Sequence, residues 1–178
     1  EPDSLVGFDL EVAKNFLKKS GLEPKHTNLD LSYVSTYEAY RLTAFMLLDN
    51  LRKIGIDLDL KPGLWSTNWD KAKKIETAPN IISMAWWPTI SSPSDWFFSL
   101  YSTQEKPIFN LSYYSNNVLD SLAKKAWELE TIDKDVAKKI YKKIQNILIH
   151  DCVVIPAVDV KVASVRKKSI KGFSSNPA

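Results

Sequence analysis

The fold class predicted from the sequence is α/β: a mixed, mostly parallel sheet flanked by helices, with an antiparallel helix pair near the C-terminal end. Three observations carry it. Alternating apolar residues at Leu29, Leu31 and Tyr33, and again at Ile56, Leu58 and Leu60, bracket a helical stripe of Ala44, Leu47, Leu48, Leu51 and Ile54. That order is a βαβ unit, for which a right-handed crossover is expected. Residues 81–86 form a near-continuous apolar run, as in a strand covered on both faces. Finally, residues 118–129 and 133–149 carry apolar stripes at helical spacing, Leu119, Leu122, Ala126, Leu129 and Val136, Ile140, Ile144, Ile147, joined by a short turn.

The elements follow in order. Asp9 is an N-cap for a first helix with Leu10, Ala13, Phe16 and Leu17 on one face, and Gly21 stops it. After the first strand, Ser35-Thr36-Tyr37-Glu38 reads as a capping box that opens the long helix, which Gly55 ends. A shorter helix is expected over 66–76, with Trp69, Ala72 and Ile75 inward, and Pro79 breaks it before the third strand at 81–86. A short helix over 95–101 follows a turn-rich loop, and Asn116 or Asn117 caps the first helix of the pair. A late strand over 153–158, with 160–165 as a hairpin partner, completes the set.

With 178 residues the chain fits one domain, or one lobe of a larger protein, and 44% hydrophobic content supports a real core. A net charge of +3 is too balanced to mark a nucleic-acid footprint, and 5 glycines argue against a glycine-rich nucleotide cradle. Lysine-rich, glutamine-poor usage is a trend of thermophilic proteins. Cys152 is the sole cysteine, so no internal disulfide forms, and it reads as a small core residue. No stretch approaches the ~20 apolar residues of a membrane span. The start, Glu1-Pro2-Asp3-Ser4, is not a signal peptide, and both ends read as cuts through a longer chain.

The most informative stretch is the loop Met84-Ala85-Trp86-Trp87-Pro88-Thr89-Ile90-Ser91-Ser92-Pro93-Ser94-Asp95-Trp96. In open α/β sheets, ligands sit just outside the carboxyl ends of strands. Tryptophans clustered in and around such a loop are costly to expose unless something covers them. The candidate ligand-binding residues are therefore Trp86, Trp87, Thr89, Ser91, Asp95 and Trp96, with Tyr113 and Tyr114 as a candidate cleft wall. Each has a packing alternative. One of Trp86 and Trp87 should face the core, since strand neighbours point oppositely. Trp96, Phe97 and Phe98 can pack the short helix onto the sheet, and Asp95 can cap it. Trp65 and Trp69 read as helix packing, and Trp127 as structural or exposed. No G-x-S-x-G elbow, H-E-x-x-H or Walker loop occurs. The 2 histidines, His26 and His150, have no second ligand at metal spacing, so no catalytic set, metal or cofactor is expected. Asn110-Leu111-Ser112 fits a glycosylation sequon.

Several local patterns, in shared order and spacing, carry a resemblance. They are Phe8-Asp9-Leu10-Glu11-Val12-Ala13-Lys14-Asn15-Phe16-Leu17 followed by Gly21, Leu48-Asp49-Asn50-Leu51-Arg52-Lys53-Ile54-Gly55-Ile56-Asp57-Leu58, and Trp86 through Pro93. Asn110 to Asn116 followed by Val118-Leu119-Asp120, Tyr141 through Gln145, and Ile155-Pro156 continue the series. Together they resemble the C-terminal lobe of the extracytoplasmic solute-binding proteins of the oligopeptide/dipeptide/nickel class, which feed ABC importers, and residues 165–173 resemble the segment returning to the first lobe.

The resemblance implies a periplasmic-binding-protein-like lobe spanning residues 1–178, with the N-terminal lobe outside this chain. It implies a non-enzymatic component that captures an oligosaccharide or oligopeptide between two lobes and delivers it to ABC permease subunits. The expected location is extracytoplasmic, membrane-associated through parts not in this chain. Peptide-binding members carry an aspartate that receives the peptide α-ammonium; counting back from Pro93, that position is Thr89 here. A hydroxyl cannot neutralise a buried ammonium. Aromatic faces suit sugar rings, and some thermophile members are similar in binding oligosaccharides, so a neutral, sugar-like solute is favoured over a free peptide. Two other classes stay open: a glycoside-active hydrolase, whose acid/base pair the carboxylates would permit, and a structural interaction domain, which leaves the aromatic loop unexplained.

Overall fold

A computed structural model describes residues 7–23, 27–158 and 165–172. The first helix, α1 (Leu10–Ser20), starts where Asp9 accepts hydrogen bonds from the Glu11 and Val12 amides and ends at Gly21 in the left-handed region (φ 71°). It buries none of its residues, and Phe8, Val12 and Phe16 lie exposed beside it.

Strand β1 (Asn28–Val34) is central in a three-stranded parallel sheet of order β2-β1-β3. Its neighbours are β2 (Asp57–Gly63) and the short β3 (Ile81–Ile82). Leu31, Ser32, Tyr33 and Val34 are all buried, because β1 is covered on both faces, whereas in edge strand β2 Leu58 is buried between exposed Asp57 and Asp59. The crossover helix α2 (Glu38–Arg52) packs on β1 and β2, burying Ala44 against Leu31, Tyr33 and Leu58. Gly55, at φ 84°, turns the chain from α2 toward β2. Helix α3 (Trp65–Ala72) joins β2 to β3 and packs against β1.

Beyond the sheet, α4 (Pro93–Leu100) packs on α5 (Asn117–Leu129), which pairs with α6 (Lys134–His150). Leu119, Ala123, Ala126, Ala137, Ile140, Ile144 and Leu148 make a second core, with Phe97 stacked on Tyr141. From the expected stripes Leu119, Ala126, Ile140 and Ile144 are buried and Leu122, Leu129 and Ile147 pack against them, whereas Val136, in the first turn of α6, is exposed. Asn116 caps α5 by accepting from Val118 and Leu119, and Asp133 caps α6 by accepting from Val136.

Five expectations require correction. The Ser35–Glu38 capping box does not form: Tyr37 is the N-cap, without a side-chain bond. The Ser35 amide instead donates to the Gly63 carbonyl at 3.1 Å, continuing the sheet edge. The helix expected over 66–76 ends at Ala72, and Ile75 is exposed, the buried polar residue Asn68 taking the inward place. The third strand stops at Ile82, with one further bond from the Ser83 amide to the Ser32 carbonyl. Residues 153–158 form no strand, and the expected partner at 160–165 falls, apart from an exposed Val165, outside the described residues. Cys152 is exposed rather than in the core, where a left-handed turn (φ 53°) follows α6. His26 and residues 173–178 also lie outside the described residues.

Candidate functional site

Residues 83–92 leave the carboxyl end of β3, beside central β1, and lead into α4. The chain leaves β1 toward β2 by way of α2 but leaves β3 toward the helix pair, so the two loops diverge where these strands meet. A crevice opens at such a point in α/β sheets.

The two tryptophans of this loop separate. Trp86 turns in, meeting Phe109 edge-on with centroids 4.6 Å apart and planes at 60°. Its Nε1 is buried without a hydrogen-bond partner among the described residues. Phe109 stacks on Trp69 (5.8 Å, 16°), and Trp69 on Trp65 (6.3 Å, 13°). Trp69 Nε1 donates to the Ile108 carbonyl at 2.7 Å, and Lys73 Nζ lies 3.7 Å from its ring centroid. This row fastens the loop to α3. Trp87 faces out, with 69% of its surface exposed, the most exposed indole among the described residues.

The backbone following Trp87 is held at two points. Asp95 Oδ2 accepts from the Thr89 amide at 2.6 Å, and Oδ1 receives the Ser99 hydroxyl at 3.5 Å. Asp95 thus closes the loop onto the first turn of α4; the cap itself is Ser92, whose hydroxyl accepts from the Ser94 amide. At the second point, the Glu130 carboxylate beyond α5 receives the Ser92 hydroxyl at 2.6 Å, the Ser94 amide at 3.1 Å and the Tyr141 hydroxyl. Burial pushes the Glu130 carboxyl up, but these donated bonds outweigh it and hold the group below the usual carboxylate range. For Tyr141, burial and the same carboxylate both push the phenol well above its ordinary value.

The remaining candidates spread out. Thr89 and Ser91 are exposed on the loop, and Trp96 sits on α4, 39% exposed. Tyr113, in the left-handed region at φ 55°, donates to the Ala72 carbonyl at the end of α3. Tyr114 donates to Asp151 Oδ2 at 2.6 Å and accepts from Asn116, tying the entry of α5 to the exit of α6. The structure therefore joins Thr89 to Asp95 close after the outward Trp87, turns Trp86 away onto Phe109, and directs both tyrosine hydroxyls to the scaffold. Trp127 meets Phe98 edge-on, and Asn110, the sequon residue, is 2% exposed with its amide nitrogen bonded to the Ser102 and Tyr114 carbonyls. That burial is incompatible with a glycosylation acceptor in the folded protein. Sequence reasoning missed Glu130, whose partners lie 36 and 38 residues away. Phe109 was missed as well; its one visible signal is its place in the aromatic-rich stretch after α4.

Among the described residues no grouping of His, Cys, Asp and Glu could hold a metal ion, and no helix is long and apolar enough to cross a membrane.

An α/β lobe with an aromatic loop at the strand ends is an arrangement suited to holding a small solute. The family described as "Bacterial extracellular solute-binding proteins, family 5 Middle" matches residues 1–107, more than half of the 178-residue chain, and the chain belongs to that family. Among relatives, the glutathione-binding protein GsiB of Escherichia coli (strain K12) is 32% identical over 90 residues, 49% of this chain and 17% of that protein. The ABC transporter-associated periplasmic binding protein DppA from Helicobacter pylori, solved with the peptide STSA, is similar in structure with a TM-score of 0.72 and 26% identity. The match covers 84% of this chain and 28% of that one. The murein tripeptide binding protein MppA of Escherichia coli shares the fold, with a TM-score of 0.69 and 23% identity over 81% of this chain and 27% of its own. This chain thus spans well under a third of the length of each.

Proposed function

We propose that this chain is one lobe of an extracytoplasmic solute-binding protein, which closes with a second lobe on a small oligomeric solute and presents it to an ABC permease in the membrane. The observation that carries the reading is an outward indole, Trp87, on a loop at the strand ends of an α/β lobe, held before it by the packing of Trp86 on Phe109 and after it by the Asp95 and Glu130 hydrogen bonds. An exposed aromatic face on a rigid loop is pre-organised for stacking, with little ordering cost on binding.

We assign the solute to the oligosaccharides first. Flat indole faces match the apolar faces of sugar rings, Thr89 brings a hydroxyl and not a charge, and Asp95 already has both carboxylate oxygens engaged. A peptide is the second reading, favoured by what the relatives bind: DppA was solved with the peptide STSA, and GsiB is a glutathione-binding protein.

Calorimetry on the full-length protein with cello- and manno-oligosaccharides beside short peptides separates these readings. In that protein Trp87→Ala should weaken an oligosaccharide by about 1–3 kcal/mol; unchanged affinity moves the site elsewhere. Peptide binding without a sugar response overturns the first assignment, and turnover of any of these compounds replaces capture by hydrolysis. A micromolar solute is held by about −8 kcal/mol, so one lobe supplying half of this binds at about millimolar strength. Sub-micromolar binding to residues 1–178 alone contradicts a two-lobe clamp.

A further inference from the structure

The geometry points to Glu130 as a positioning residue for the solute loop: its carboxylate fixes the Ser92–Ser94 end of that loop, and with it Trp87, to the α5–α6 helix pair. The assignment rests on the proposed role of the loop in solute capture.

Three groups from two parts of the chain converge on this one side chain. Ser92 and Ser94 come from the end of the loop and the first turn of α4, and Tyr141 comes from α6. Ser94 Oγ adds a longer contact at 3.3 Å. A carboxylate is acceptor-only and offers several lone pairs, so it can join an amide and two hydroxyls at once. Its charge also stands at the first turn of α4, where the helix dipole favours it.

Helix capping alone does not account for the arrangement. Ser92 already caps α4 through the Ser94 amide. Glu130 instead joins Ser92 and Ser94, 36 to 38 residues away in sequence, to Tyr141 of the second core, which stacks on Phe97 with centroids 5.0 Å apart. Asp95 secures Thr89 from within the same segment and the Trp86–Phe109–Trp69 row fastens the start of the loop to α3, so Glu130 is the hydrogen-bonded tie between the end of the loop and the helix pair. The outward indole then has a defined direction relative to the helix pair.

The test uses the full-length protein with Glu130→Ala, Glu130→Gln, Ile144→Ala and Trp87→Ala. Ile144 is fully buried in the helix-pair core and has no group to hydrogen-bond the carboxylate, so Ile144→Ala measures what loss of stability alone does. Amide exchange of the 86–95 peptide is read first, without solute. It should rise about tenfold in Glu130→Ala, less in Glu130→Gln, and stay within about twofold in Ile144→Ala at a temperature where all are folded. Should Glu130→Ala fail to fold, Glu130→Gln, which keeps the volume and one acceptor, carries the comparison. The second readout is affinity for the tightest of cellotetraose, mannotetraose and tetraalanine. Glu130→Ala should weaken it about tenfold and Ile144→Ala by no more than about twofold.

Unchanged loop exchange in both Glu130 variants overturns the assignment whatever the solute does. So does an affinity that Trp87→Ala weakens but neither Glu130 variant moves, and in that case the loop reading survives. If Trp87→Ala also leaves affinity unchanged, the loop lies outside the solute site, and both readings fall together.

Discussion

Gly63 closes β2 where α3 crosses the sheet, and a side chain there has nowhere to go. A Cβ at this position would sit 2.5 Å from Asn68 Oδ1, while Asn68, itself buried, donates its Nδ2 to the Tyr33 carbonyl at 3.1 Å. Gly63→Ala must push Asn68 away and strain or break its buried bond to the Tyr33 carbonyl, at a cost of about 1–3 kcal/mol in urea unfolding. With Asn68→Ala already present the same change should cost much less, and additive effects would show that the two do not meet. Glu130 gives a second prediction at this scale. Its folded pKa lies below its unfolded one, so its contribution is complete above the ordinary carboxylate value and is lost as pH falls through the folded value. Urea midpoints at pH 7 and at about pH 3 should therefore differ less in Glu130→Gln than in the parent protein. Neither residue announces itself in sequence, because a glycine's closeness to Asn68 and a glutamate's distant serines are products of tertiary packing.

At the scale of elements, the helix pair was legible because its stripes, caps and short turn all agree, so local pattern and tertiary packing ask for the same structure. The capping box failed where they disagree. Ser35 follows β1 directly, and its amide extends the sheet to Gly63 in place of closing the first turn of α2. The third strand shows a different confusion: the apolar run at 81–86 is real, but only its start pairs with β1. Trp86 owes its apolar character to packing on Phe109, which periodicity cannot tell from burial in a sheet. What sets the register of β3 is a clasp just before it. Asp30 and Asn80 exchange hydrogen bonds, each backbone amide donating to the other's side-chain oxygen, at 3.0 and 2.7 Å. Since β3 holds only two paired residues, this clasp is a large share of its attachment. Asn80→Ala should cost about 1 kcal/mol and speed amide exchange at Ile82 and Ser83, leaving the β1–β2 ladder protected. Uniform loosening of all three strands would mean that the clasp serves the whole sheet.

For the molecule as a whole, the order of elements was the legible property, and it placed the aromatic loop between the third strand and α4. Which tryptophan faces outward was not legible, since adjacent indoles differ only in how Phe109 and α3 receive them. The surface carries one further consequence. Helix α1 buries none of its residues, and Phe16 is 67% exposed on it. On α2, Leu42, Phe45 and Met46 are also exposed. Scattered apolar residues need no cover, but an amphipathic helix whose apolar side lacks a partner does. If the chain is one lobe of a larger clamp, part of this surface is covered in the intact protein. Phe16→Ser should then be near neutral in residues 1–178 alone, within about 0.5 kcal/mol, as for an exposed site. The same change in the full-length protein should cost about 1.5–3 kcal/mol, the value of burying a phenylalanine side chain. Paired urea titrations of the two forms, each with and without the substitution, measure the difference directly. Equal small effects in both would leave α1 bare in the intact protein, and this face would then play no part in joining the lobes.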